Sequence, residues 1–389
     1  MQTLTRNALN EIIREQTYSP DAMIPFLRTR EHFMSVPVGI KRELAKLGYD
    51  TNSDGAALLG NFKLVLKKAG WGQSEYKNAK RWLIDGSLPS ANPVYNYPIR
   101  LCFAFGLSGQ DSLDFLRKVC LVNGFNFRRA DDVVYLYCLE NGRSYEEANA
   151  IIAQYKEATA DLTYSTDDYT KRTQTLRTIF GNLSGLSEQD FLVKLIVNKK
   201  NFLAYSVTAH EEVLKLSGTL RAFIRADIAE YNRDIQYAEL SGYAFKGNDV
   251  SLYNELVYAF DIINSAGKDS DTPFGGIMRR FPQSEYLGKM LTNSAAATDK
   301  EHDTARKVFV LLYFANYALD PPPGKFFGDF TIALDTELER CGYAKLYPAN
   351  PFDWHILNCI RSLDYSDQDE DLNPVELFND VLMLLAEEE

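Results

Sequence analysis

The sequence predicts an all-α protein, with short helical hairpins in an N-terminal domain and a longer helix bundle in a C-terminal one. Three observations predict it. Apolar residues recur at three- and four-residue spacings along most of the chain, and no run of alternating β-branched residues is long enough for a strand. One helical phrase is repeated: Cys102 to Leu107 passes Gly106 into Ser108 with Asp111 three residues on, and Tyr137 to Arg143 passes Gly142 into Ser144 with Glu147 three residues on. Each copy reads as a helix stopped by a left-handed glycine and followed by a capping box, in which serine and acid satisfy orphan amides of the next helix. The length of 389 residues also exceeds the roughly 250 to 300 at which a single core stops growing. Two domains are therefore expected, 1–162 with a hairpin core over about 60–120, and 163–389, joined at the polar run Thr163 to Asp168.

Taken in order, Leu58, Leu59, Phe62, Val65, Leu66 and Ala69 predict a helix after Asp54 that Gly70 stops. Helices follow over 74–84, 95–105, 109–121, 130–140 and 145–157, with Pro89, Pro93 and Pro98 breaking the chain between the first two. Ser187 with Asp190 and Thr208 with Glu211 repeat the capping pattern before two further helices. The second of these, about 209–240, carries the stripe Val213, Leu216, Leu220, Phe223, Ile224, Ile228, Tyr231 and Ile235, close to a seven-residue repeat. It reads either as a central helix buried by its neighbours or as a seam for self-association. The segments 241–248 and 267–276 read as loops, and an apolar helix over 304–319 ends at Pro321-Pro322-Pro323-Gly324. Asn373-Pro374-Val375-Glu376 opens a final helix, with an Asn cap, a first-turn proline and an acid.

Composition narrows the class. Aromatic residues make up 13% of the chain, which implies thick packing between helices or a sticky surface, with core the expected use. Five cysteines, odd in number and far apart, argue against a disulfide scaffold, and without a CxxC pair a zinc ribbon has no starting ligands. The N-terminal residues lack the apolar stretch of a signal peptide, and the longest apolar run, Val308 to Leu319, falls short of the roughly 20 residues a bilayer requires. A cytoplasmic location without membrane contact is the expectation. The net charge of −11 is uneven. Between Gly60 and Arg100 seven basic residues face two acids, a net +5, whereas after Arg361 ten acids stand with no base at all. The basic segment attracts phosphate, and the acidic end, through Asp367, Asp369, Glu370 and Asp371, is placed to compete with it as an internal mimic of DNA.

Asn78-Ala79-Lys80-Arg81-Trp82, Asp85-Gly86-Ser87-Leu88-Pro89-Ser90 and Ile99 to Ser108 stand in the order of a recognition helix, its glycine turn with a Pro-Ser pair, and an apolar helix closed by a Gly-Leu-Ser turn. In this the region Gly70 to Leu116 resembles XRE-type helix-turn-helix proteins, in a degenerate form, because the chain between Gly70 and Asn78 is short for the family's full second helix. The resemblance implies that Lys77, Asn78, Lys80 and Arg81 face DNA, the cations on phosphates and the asparagine on adenine. Phe62 to Tyr155 and Cys341 to Trp354 are also similar to bacterial all-helical proteins without an assigned activity, which often contain such a region.

Catalytic patterns are sparse. His210, His302-Asp303 and Asp353 follow the order of HD-type metal phosphohydrolases. His210-Glu211-Glu212 fails as a zinc-protease motif because position 214 is Leu, and neither a GxxxxGK[ST] loop nor a GxSxG elbow occurs. Tyr343, Tyr347, Phe352 and Trp354 read either as a stacking corner for a ligand or as aromatics pinning a loop. The resulting expectation is a non-catalytic regulatory binding protein, with no catalytic residue, metal or cofactor. Its partner is a macromolecule: DNA through Lys77, Asn78, Lys80 and Arg81, or a protein or second copy through the Val213 to Ile235 stripe.

Overall fold

In a computed structural model, the structure describes residues 19–28, 36–52, 54–87, 89, 96–160, 173–181, 183, 185–202, 207–231, 302–321, 326–348, 350–364 and 373–387. The described residues form fifteen α-helices and three one-turn 3-10 segments, with no strand among them. The protein is all-α.

The chain divides into two compact units. The first holds α2 (Val36–Lys46), α3 (Gly55–Lys68), α4 (Tyr76–Leu83), α5 (Tyr97–Ala104), α6 (Gly109–Lys118), α7 (Ala130–Glu140), α8 (Tyr145–Ala158), α9 (Thr173–Phe180) and α10 (Glu188–Val197). Three of its helix ends are made the same way. Gly70, Gly106 and Gly142, spaced by thirty-six residues, take φ of 75°, 62° and 63°. The next amide in each case, Trp71, Leu107 and Arg143, donates back to the carbonyl of Leu66, Cys102 and Cys138 at 3.1, 3.0 and 2.8 Å. These bonds satisfy carbonyls that would otherwise be orphaned at the helix end.

Side chains then start the following helices. Asp54 accepts from the Ala57 amide at 2.7 Å, Ser108 from Asp111 at 3.2 Å, Ser144 from Glu147 at 3.1 Å and Ser187 from Asp190 at 3.1 Å. Glu147 closes a reciprocal box by accepting from the Ser144 amide. α7 is buried on nearly every side, from Asp132 through Leu139, and is the central helix of this unit.

The expected boundary at 162/163 differs from the packing. α9 and α10 share the core of the first unit through Leu176, Phe180, Phe191 and Leu195. Phe191 stacks on Tyr137 with ring centroids 3.9 Å apart. Asn141 donates to the Leu183 carbonyl at 3.0 Å and accepts from the Gly185 amide at 2.9 Å, so one side chain holds the turn between α9 and α10.

The second unit combines α1 (Pro20–Arg28) with α11 (Val207–Tyr231) from Thr208, α12 (His302–Leu319) from Asp303, α13 (Phe326–Cys341), α14 (Pro351–Arg361) and α15 (Pro374–Glu387). Its core is aromatic: Phe26 stacks on Trp354 at 4.5 Å and Phe314 meets Phe378 at 5.5 Å. Thr208 lies inside α11 rather than capping it, because the helix begins at Val207. Among the described residues no helix is long and apolar enough to cross a membrane.

Candidate nucleic-acid interface

α3 and α4 are joined by the Gly70 turn and a 3-10 segment, Gln73–Glu75. α4 is short, and its orientation comes from what it buries: Ala79, Trp82 and Leu83 enter the core. Trp82 sits edge-on to Trp71 at 5.7 Å and to Tyr97 at 5.1 Å, while Trp71 and Tyr97 stack at 5.6 Å. Three aromatic rings therefore fix the inner face of α4.

The outer face carries Lys77, Lys80 and Arg81, all exposed. Positions three and four apart share one side of a helix, so the three cations form a single strip. Asn78, expected beside them at the DNA, does not share that face: it lies on the inner side with 9% of its surface exposed, beside Ala79 in sequence and a turn before Trp82.

The start of α4 is tied down by charge. Arg100 of α5 forks onto Glu75, Nη1 to Oε1 at 2.5 Å and Nη2 to Oε2 at 3.2 Å, while Oε2 also accepts from the Gly72 amide at 3.0 Å. The guanidinium lies 4.1 Å from the centre of the Trp71 ring and 5.4 Å from that of Tyr145. Partial burial pushes the Glu75 carboxyl up, but the Arg100 hydrogen bond, the Gly72 amide and the Arg100 charge outweigh it and hold the group below the usual carboxylate range. No motif in the sequence gives Glu75 or Arg100 a role. The available signal was an acid three residues after Gly72, the spacing of a helix start.

The other candidate residues are placed differently. Val213 and Leu220 are fully buried and Leu216 half-buried in the second unit's own core. The Leu216 carbonyl accepts from Asn316 of α12 at 3.0 Å, and Glu212 pairs with Arg340 of α13 at 2.5 Å. This part of the stripe is core and not an open self-association seam. Phe223, Ile224, Ile228 and Tyr231 continue the same helix, but their side chains lie outside what is described, as does the whole of Ile235. Asp367, Asp369, Glu370 and Asp371 also lie outside the described residues.

Asp353 is committed to structure. Arg306 donates to both its oxygens at 2.8 Å and the Tyr347 amide donates to Oδ2 at 2.8 Å, with the acid 1% exposed. His302 and Asp303 lie on α12 with side chains outside the described set, and His210 is half-buried on α11. Among the described residues no three His, Cys, Asp or Glu side chains group as a metal site requires. Tyr343, Phe352 and Trp354 are buried in the second unit's core, Tyr343 against Phe309 of α12 and Trp354 stacked on Phe26 of α1, so these rings are spent in packing. The five cysteines are buried free thiols, and burial pushes Cys102, Cys138 and Cys341 up to about 12, which keeps them protonated and poorly nucleophilic at neutral pH.

Compared with family models, with curated proteins and with solved structures, the chain matches none.

Proposed function

We propose that this is a non-catalytic regulatory binding protein whose first unit holds duplex DNA through the outer face of α4. The observation that carries the reading is the pairing of faces on one short helix. Trp82 locks one side into an aromatic core, and Lys77, Lys80 and Arg81 project from the other.

A fixed row of cations on a chain of net charge −11 is a local exception to its surroundings. Such a row attracts phosphate while the rest of the surface discourages indiscriminate contact. With Asn78 inward, the contact is to the backbone of the duplex, which positions a protein without reading sequence. A protein partner at the Val213 to Leu220 part of α11 has less support, because those side chains are already spent in the core of their own unit.

The test is fluorescence anisotropy of a short labelled mixed-sequence duplex titrated at low salt with the wild-type chain and with a Lys77→Ala/Lys80→Ala/Arg81→Ala variant. Binding by the first and its loss in the second supports the reading. Equal affinity of the two removes it.

A further inference from the structure

We infer that Arg100 is a positioning residue for the DNA-facing helix: its guanidinium, forked to Glu75 and set against the rings of Trp71 and Tyr145, sets the first turn of α4 and masks a carboxylate that would otherwise repel phosphate. The inference rests on the DNA reading above and adds to it a residue that itself makes no contact with DNA.

α4 needs two anchors to have one orientation. Trp82 supplies the first, toward its C-terminal end. Glu75, the residue before Tyr76, supplies the second through its paired bonds to Arg100. A forked, charge-assisted pair fixes direction as well as distance, which a single bond does not. Arg100 is in turn held by two rings. Trp71 belongs to the turn that leaves α3, and Tyr145 opens α8. The same junction is tight: a Cβ added at Gly70 would stand 2.7 Å from Glu146 Oε1, so α8 abuts the turn that leads into α4. The turn after α3, Arg100 of α5 and the start of α8 thus meet beside the first turn of α4.

Glu75 is also the acid nearest in sequence to Lys77. Paired, its charge is compensated. Released, a carboxylate stands two residues from a phosphate-binding lysine and opposes the same ligand.

The experiment uses the full chain and the labelled duplex, with affinity measured across a salt series and folding checked by thermal melts. Arg100→Gln is expected to weaken binding about tenfold, the scale of one lost charge-assisted bond, with the salt slope kept. Arg100→Gln combined with Glu75→Gln restores only part of the affinity, because the unmasked charge is gone while the fork that sets α4 is still missing. Lys80→Ala, in contrast, reduces the slope by about 0.9 as one phosphate contact is lost. Unchanged affinity in Arg100→Gln overturns the inference, as does a slope reduced as in Lys80→Ala, which would make Arg100 a direct contact, or a double variant no better than the single. Absence of wild-type binding to the duplex instead rejects the DNA reading, and this inference falls with it.

Discussion

Asp132 and Asp353 hold their loops in the same way, one in each unit. Each is buried in the first turn of its helix, α7 or α14, and each accepts the backbone amide of the residue six positions earlier, Asn126 or Tyr347, at 2.8 Å. Each faces an arginine, Arg129 at 3.6 Å or Arg306 at 2.8 Å. A glycine with φ of 88° leads into each loop, Gly124 or Gly342, and a buried cysteine follows six residues after each aspartate. The two sites differ in burial, since the Arg129 side chain is 17% exposed and that of Arg306 6%.

That difference predicts unequal costs. Asp353→Ala strands a buried guanidinium and is expected to cost about 3–5 kcal/mol, whereas Asp132→Ala loses mainly an amide acceptor and costs about 1–3 kcal/mol. Urea unfolding of the two variants measures this. Equal losses would contradict the assignment.

His355 makes the second unit sensitive to acid. Burial alone lowers its imidazole to about 3, and the ring stacks on Phe378 at 4.4 Å. The folded value lies below the unfolded one near 6.5, so the unfolded chain takes up the proton first as pH falls. The neutral ring's contribution is complete above about pH 6.5 and is lost toward pH 3, at about 1.4 kcal/mol for each pH unit. His355→Phe keeps the ring and removes the proton, so its melting temperature should fall less steeply between pH 6.5 and pH 4.5 than that of the wild type. Parallel curves would show that the acid sensitivity resides elsewhere.

Two kinds of glycine give separable effects. Gly106 and Gly142 have open space where a side chain would sit, so alanine there carries only the left-handed backbone strain, about 1–2 kcal/mol each. Gly39→Ala instead drives a methyl to 2.4 Å from Val119 Cγ1, an overpacking cost of about 1–3 kcal/mol. Val119→Ala relieves the second cost and not the first. A double-mutant cycle by thermal unfolding should find strong coupling for Gly39 with Val119 and none for Gly106 with Val119.

Much of the fold is legible in the sequence because its signals are local. Ser108, Ser144 and Ser187 cap helices where the Ser-x-x-acid pattern places them, and α7 spans 130–140 as periodicity predicts. Position on a helix face is less local. Lys77, Lys80 and Arg81 look like neighbours of Asn78 until Trp82 and Ala79 decide which side is inner. The stripe from Val213 has the spacing of a seam, and only the packing of α12 and α13 against it makes it core. The domain boundary follows Asn141, whose two bonds reach more than forty residues ahead to a turn that composition alone assigns to the next domain. The Arg100–Glu75 pair spans 25 residues and has no pattern of its own.

The most direct measurement is the salt dependence of duplex binding. Three cations on phosphates predict that log K falls with log salt at a slope of about −3, shallower by about 0.9 for each of Lys77, Lys80 and Arg81 removed, and unchanged in Asn78→Ala. A slope near zero, or one that the three substitutions leave alone, would contradict the claim that the outer face of α4 holds DNA.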